Sequence, residues 1–221
     1  MADTLQALMA GPMRGARLSI PPDLWRTRPV VIIGGGPSVT PEDLAAVCRS
    51  RATVIAVNDA FRSIGWADAC FTIDDFWLRK RVEELAGFGG ELIVAVPFRF
   101  KLDPALGVVR RVERREGGPR LNPSPDVVYY GENSGHGALT FSAAQGARKI
   151  FLLGFDMKAA GHWFPPYEWQ CRFGVRDYPR WIGHFRAIAP LLKSAGVDVV
   201  NLNPASGIRC FRFGNLSELD S

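Results

Sequence analysis

No apolar run in this sequence approaches the roughly 20 residues that a membrane-crossing helix needs. Its four cysteines, Cys48, Cys70, Cys171 and Cys210, form no C-x-x-C pair, and its three histidines lack metal-ligand spacing. These absences exclude a zinc site and a disulfide scaffold, and they suit reduced thiols in a cytoplasmic protein. No nucleophile elbow is present, so a Ser-His-Asp hydrolase falls away. Repeats and low-complexity segments are absent too. Residues 1–28 hold Asp3 and scattered arginines around no apolar core, which is not the pattern of a secretory signal.

What is present is a chain of 221 residues, long enough to bury a full core without staples. A hydrophobic share of 47% against 22% charged residues is that of an ordinary globular domain. Much of the net charge of +5 comes from Arg99, Lys101, Arg110, Arg111, Arg114, Arg115 and Arg120, opposed by Asp103, Glu113 and Glu116. Such a run is either a solvated loop face or a surface for an acidic partner: nucleotide phosphate, nucleic acid or anionic glycan.

The chain is organised around Val30-Val31-Ile32-Ile33-Gly34-Gly35-Gly36-Pro37-Ser38. Four β-branched residues ending at glycine read as a buried parallel strand. Three glycines allow a tight turn and close approach of a ligand. Thr40 then caps a helix with Pro41 at its first position and acidic residues in its first turn. Strand, loop and helix N-terminus together make an anion site, though the same turn also serves simply to reverse the chain. The loop has neither the G-x-G-x-x-G spacing of a dinucleotide site nor the Lys-Ser/Thr of a Walker A motif. A mononucleotide fits better than NAD.

Further buried strands are predicted at 53–57, 69–73 and 92–96, each with polar or proline residues at its end. Asn58-Asp59 sits where ligands bind in open α/β sheets, and either holds a base or ribose or starts a turn. Of Asp74 and Asp75, one is expected to cap a helix over 76–86 and the other to hold Mg²⁺ or a substrate hydroxyl. Residues 98–125, with Pro104, Pro119, Pro123 and Pro125 among the arginines, read as an irregular insertion. It is expected to act as a lid that carries an arginine to the ligand phosphates.

A strand at 127–130 leads to a second glycine-rich junction, Gly131-Glu132-Asn133-Ser134-Gly135-His136-Gly137, before a small-residue helix over 138–146. Asn133, Ser134 and Gly135 can bind a second part of the ligand there. The strand 149–155 delivers Asp156 to the same edge, and residues 157–178 form an aromatic loop suited to sugar rings or bases. His162, in that loop, is the best candidate base. His136 is a weaker candidate, for phosphate, and His184 reads as structural. A helix over 180–195, a strand over 197–202 and an extended tail complete the chain.

Gly34-Gly35-Gly36-Pro37-Ser38, Val57-Asn58, Asn133-Ser134-Gly135 and Leu153-Gly154-Phe155-Asp156-Met157 resemble, in order and spacing, the 6-hydroxymethylpterin diphosphokinase MptE-like family. The same skeleton occurs in the related small bacterial sialyltransferases and motility-associated sugar transferases, and the C-terminal region is similar to phage and prophage members. The resemblance implies an α/β fold: a Rossmann-like three-layer sandwich with a mostly parallel sheet, a single domain over 29–221 behind an N-terminal arm.

It implies a nucleotide-dependent transferase whose Gly34, Gly35, Gly36, Pro37, Ser38, Asn58, Asn133, Ser134 and Gly135 hold a CMP-sugar or ATP. Asp156 and His162 would serve the acceptor, a small molecule or glycan, with Tyr130, Tyr167 and Tyr178 as candidates to steady the departing phosphate. A glycosyltransferase is the first expectation. An ATP- and Mg²⁺-dependent diphosphokinase, with Asp74 and Asp75 as metal ligands, is the second. A phage assembly or binding protein that keeps the fold without the chemistry is the third; nucleic acid is a less favoured partner, and a phage-encoded origin in a host cytoplasm is expected.

Overall fold

Strands buried on both faces must be covered on both faces, and a parallel sheet between two helix layers is the arrangement that does this. The computed structural model describes residues 19–97, 99–115, 120–121, 124–158, 161–169 and 174–220. Expectations for Pro119, Pro123, Cys171, Phe173 and most of the N-terminal arm lie outside the described residues.

The main strands are β1 (Val30–Ile33), β2 (Thr53–Val57), β3 (Ala69–Thr72), β4 (Glu91–Val94), β8 (Lys149–Leu153) and β9 (Asp198–Asn201). Short strands β5 (Arg110–Arg111) and β10 (Arg212–Phe213) form the two edges, and β6 (Glu113–Arg115) pairs separately with β7 (Val127–Tyr129). The eight-stranded order is β10-β9-β8-β1-β2-β3-β4-β5, with every pairing parallel. This is a Rossmann-like α/β sheet. From β1 the chain builds outward through β4, then returns to the other side of β1 as β8. The order therefore reverses at β1, and ligands of such sheets bind outside the carboxyl ends of the strands at that point.

Alternation along β1 feeds the two cores: Val30 and Ile32 join one, Val31 and Ile33 the other. The first core packs under α6 (Ser134–Ala144) and α7 (Tyr178–Ser194), with Trp25 of α1 (Leu24–Thr27) edge-on to Phe141. The second packs under α2 (Pro41–Arg49), α3 (Ala60–Ser63), α4 (Asp75–Lys80) and α5 (Val82–Ala86). The first nine residues of α6 are all buried, so its Ala138 and Ser142 let it lie close over β1, β2 and β3.

The structure corrects three element expectations. The single helix over 76–86 is broken into α4 and α5 at Arg81, whose backbone leaves the helical region (φ −114°, ψ 12°) as its side chain turns inward to Asp59. The helix after the second glycine junction begins at Ser134, not Ala138, because Asn133 caps it by accepting from His136 N at 3.1 Å. The insertion is not wholly irregular. Arg110 and Arg111 extend the main sheet, and Glu113–Arg115 pairs with the strand that enters the second junction.

Candidate nucleotide site at the sheet switch point

The first glycine loop is fastened to the exit of β8. Gly34 N donates to Leu153 O at 2.8 Å and Gly36 N to Gly154 O at 2.7 Å. A Cβ on Gly34 would stand 2.8 Å from Gly154 O, and one on Gly36 would overlap the carboxylate of Asp156. The glycines are thus required by two chains crossing at contact distance. Thr40 caps α2, as the sequence predicts, and Asp43 completes a reciprocal capping box with it.

Asp156 is the buried hub of this crossing, 8% exposed. Ser38 Oγ donates to its Oδ2 at 2.7 Å and Asn203 Nδ2 donates to its Oδ1 at 2.9 Å, while Gly207 N donates to its carbonyl at 2.8 Å. A buried carboxylate needs such donors to offset its lost hydration. Burial and the charge of Asp156 together raise the pKa of Tyr178 at the start of α7.

The aromatic segment lies on the same loop. His162 Nδ1 is 3.1 Å from Gly35 O, Trp163 N donates to that oxygen at 3.3 Å, and Trp163 Nε1 donates to Gly34 O at 2.7 Å. The exposed His162 ring stacks on Phe164 (4.9 Å, 9°), and Tyr167 meets it edge-on at 5.7 Å. At the segment's far end Glu168 binds Arg81 at 2.7 Å and Arg62 at 3.3 Å, with Arg81 lying 4.6 Å over Trp169. Burial alone would lower the pKa of Arg81; the hydrogen bonds it donates to Asp59 and Glu168 outweigh it and the net shift is upward. Behind Phe164 and Pro165 opens a cleft of about 430 Å³, lined also by Asp59, Arg62, Glu84 and Phe88.

Asn58 and Asp59, adjacent in sequence, part company. Asp59 is fully buried, takes two bonds from Arg81 and one from Trp77 Nε1, and belongs to the frame. Asn58 sits in the left-handed region (φ +50°) at the carboxyl end of β2, and its Oδ1 is enclosed with no donor among the described residues. A buried acceptor left without a donor costs about 1–3 kcal/mol.

At the second junction Ser134 Oγ accepts from Ile73 N at 3.3 Å, linking the start of α6 to the exit of β3. A Cβ on Gly135 would stand 2.6 Å from the Phe155 ring, and one on Gly137 2.9 Å from Phe71. Those glycines bring the helix N-terminus down onto the sheet edge.

The structure therefore gathers Gly34–Ser38, Asn58, Asn133–Gly135, Asp156 and His162 at the carboxyl edge of β1, β2, β3 and β8. Asn133 spends its side-chain oxygen on the helix cap. Asp74 caps α4 by accepting from Trp77 N at 2.9 Å, and Asp75 is exposed in its first turn. Among the described residues no group of three or more His, Cys, Asp or Glu could hold a metal ion. His136 packs 5.1 Å from the Phe185 ring and 6.2 Å from His184; burial first, then the charge of His184, pushes its pKa down to about 4. Sequence reasoning missed Asn203 and Trp163. Asn203 stands at the end of the last central strand, a position that could have marked it; nothing in its spacing marks Trp163.

No family model and no curated protein sequence matches this chain. Among solved structures it is similar to the MAf glycosyltransferase from Magnetospirillum magneticum AMB-1, with a TM-score of 0.56 and 16% identity. The alignment covers 98% of this chain and 37% of that one, so the chain spans well under half the length of that enzyme. At this identity the likeness is one of fold.

Proposed function

We propose that this protein is a nucleotide-dependent transferase, and within that class a glycosyltransferase that uses a nucleotide-activated sugar. The observation that carries the reading is the meeting of two glycine-rich strand-to-helix junctions, with Asn58 between them, at one switch point of a parallel sheet. The fold shared with a glycosyltransferase supports the same class. In this reading Gly34–Ser38, Asn58 and Asn133–Gly135 hold the nucleotide, and the orphaned Asn58 oxygen takes a donor from its base or ribose.

His162 is the base. Its Nδ1 faces the Gly35 carbonyl, so Nδ1 carries the proton and Nε2 keeps the lone pair that can accept the proton of an acceptor hydroxyl. Asp156 holds the two loops in register through Ser38 and Asn203, and catalysis is then mainly positioning plus stabilisation of the departing phosphate.

Thermal-shift screening with CMP, UDP and ATP, each with and without Mg²⁺, tests the reading. A shift with CMP or UDP that needs no metal supports it. A shift confined to ATP with Mg²⁺ transfers the case to the diphosphokinase, and no shift with any of them refutes both.

A further inference from the structure

Of the arginines in the insertion, those in its strands are committed elsewhere with one exception. Arg110 lies 3.7 Å from Glu91 and 3.6 Å from Asp126, and also donates to Gln145 Oε1 at 2.9 Å. Arg111 donates to Pro97 O at 2.6 Å, and Arg115 is paired with Glu113 at 2.9 Å. Arg99 and Arg120 are exposed. Arg114 instead reaches the carboxyl end of β3, beside the second glycine junction. Its Nη1 donates to Ile73 O at 2.9 Å, and its guanidinium lies 4.8 Å over the ring of Tyr130.

Ile73 is the residue whose N–H bonds Ser134 Oγ, so the guanidinium stands one peptide away from the first turn of α6. No carboxylate among the described residues lies within ion-pair distance of it. Acidic residues of the neighbouring segments serve other groups: Asp74 caps α4, Glu113 holds Arg115, and Glu132 binds Arg180 at 2.9 Å, while Glu116 lies outside the described residues. A cation held beside a helix N-terminus faces the positive end of the dipole, an arrangement that costs energy until an anion joins it. Its planar fork, with Nη1 on a carbonyl and one face on an aromatic ring, is fixed in orientation before any ligand arrives.

We infer that Arg114 is the side chain that recognises the anionic group of the ligand, a phosphate bridging its guanidinium and the amides at the start of α6. This rests on the nucleotide reading above and adds to it a residue that determines specificity for the phosphorylated over the unphosphorylated ligand. Arg114 acts by binding charge and takes no part in proton transfer.

The test compares nucleotide with nucleoside: CMP with cytidine, UDP with uridine and ATP with adenosine, titrated calorimetrically into wild type, Arg114→Met, Arg114→Lys and Arg115→Met. Charge-assisted hydrogen bonds imply a loss on the order of tenfold or more in nucleotide affinity for Arg114→Met. Nucleoside affinity should not move, Arg114→Lys should lose less, and Arg115→Met should behave as wild type. Melting temperature reports whether each variant is folded. If wild type binds a nucleotide and Arg114→Met binds it equally well, or loses nucleoside and nucleotide alike, Arg114 is a packing residue and the inference is wrong. If wild type binds no nucleotide at all, the functional reading fails and the inference fails with it.

Discussion

At the scale of single residues, Gly36 has its Cα against the carboxylate of Asp156, so an added methyl must displace a chain that Ser38 and Asn203 hold in place. Gly36→Ala should destabilise the fold by about 1–3 kcal/mol through overpacking. Gly183, inside α7 with nothing within 4 Å of a built Cβ, is the contrast; Gly183→Ala should stabilise by about 0.5–1 kcal/mol through helix propensity. Urea denaturation of the two variants checks both signs. His136 gives a pH prediction. Its pKa in the fold is about 4 against the ordinary histidine value of about 6.5, so the unfolded chain binds a proton over that interval and the native one does not. Stability is then complete above about 6.5 and falls by about 3 kcal/mol as pH drops to about 4. Denaturation across that range should show the slope in wild type and its loss in His136→Phe; equal slopes in both would contradict it. The placement of Ser38, Asn58, Asp156 and His162 at the sheet edge was legible in the sequence because each comes shortly after a strand end or a glycine. The use of Ser38 and Asn203 to hold Asp156 was not, since their pairing spans residues 38, 156 and 203 and is made only by the sheet order.

Among the elements, the aromatic segment is a strap between two anchors. Trp163 and His162 tie one end to the glycine loop, and Glu168 ties the other to Arg62 and Arg81. Removing the indole N–H by Trp163→Phe should cost about 1 kcal/mol, the usual net worth of one hydrogen bond. The cost should appear locally, as faster amide exchange at Trp163 and in the glycine loop, while exchange in β8 stays unchanged; a uniform change would show that the segment is part of the global core. The buried pair Asp59–Arg81 is a stronger anchor, with side chains 1% and 5% exposed. Arg81→Met would leave the buried Asp59 charge with only Trp77 Nε1 and the Arg62 guanidinium at 3.5 Å, and should cost about 3 kcal/mol. The central strands could be read from β-branched runs and α2 from the Thr40 cap and Pro41, because those signals are local. The break between α4 and α5 could not, because its cause is Asp59, which lies 22 residues earlier and meets Arg81 only in the fold. The early start of α6 was hidden by Gly135 and Gly137, which look like loop residues and are helical because Phe155 and Phe71 leave no room for a Cβ.

For the molecule as a whole, the central proposal is that the carboxyl edge around the reversal at β1 binds a nucleotide. No described helix is long and apolar enough to cross a membrane. The cleft behind Phe164 and Pro165 offers a direct alternative location. Backbone amide NMR of the 24.3 kDa chain, titrated with CMP, UDP and ATP, distinguishes them. The account predicts that the binding nucleotide shifts the amides of Gly34–Ser38, Asn58 and Ser134–Gly135 together, with Arg114 among the responding residues. Shifts centred instead on Arg62, Gly87 and Phe88, or no saturable shift with any of the three nucleotides, would contradict it.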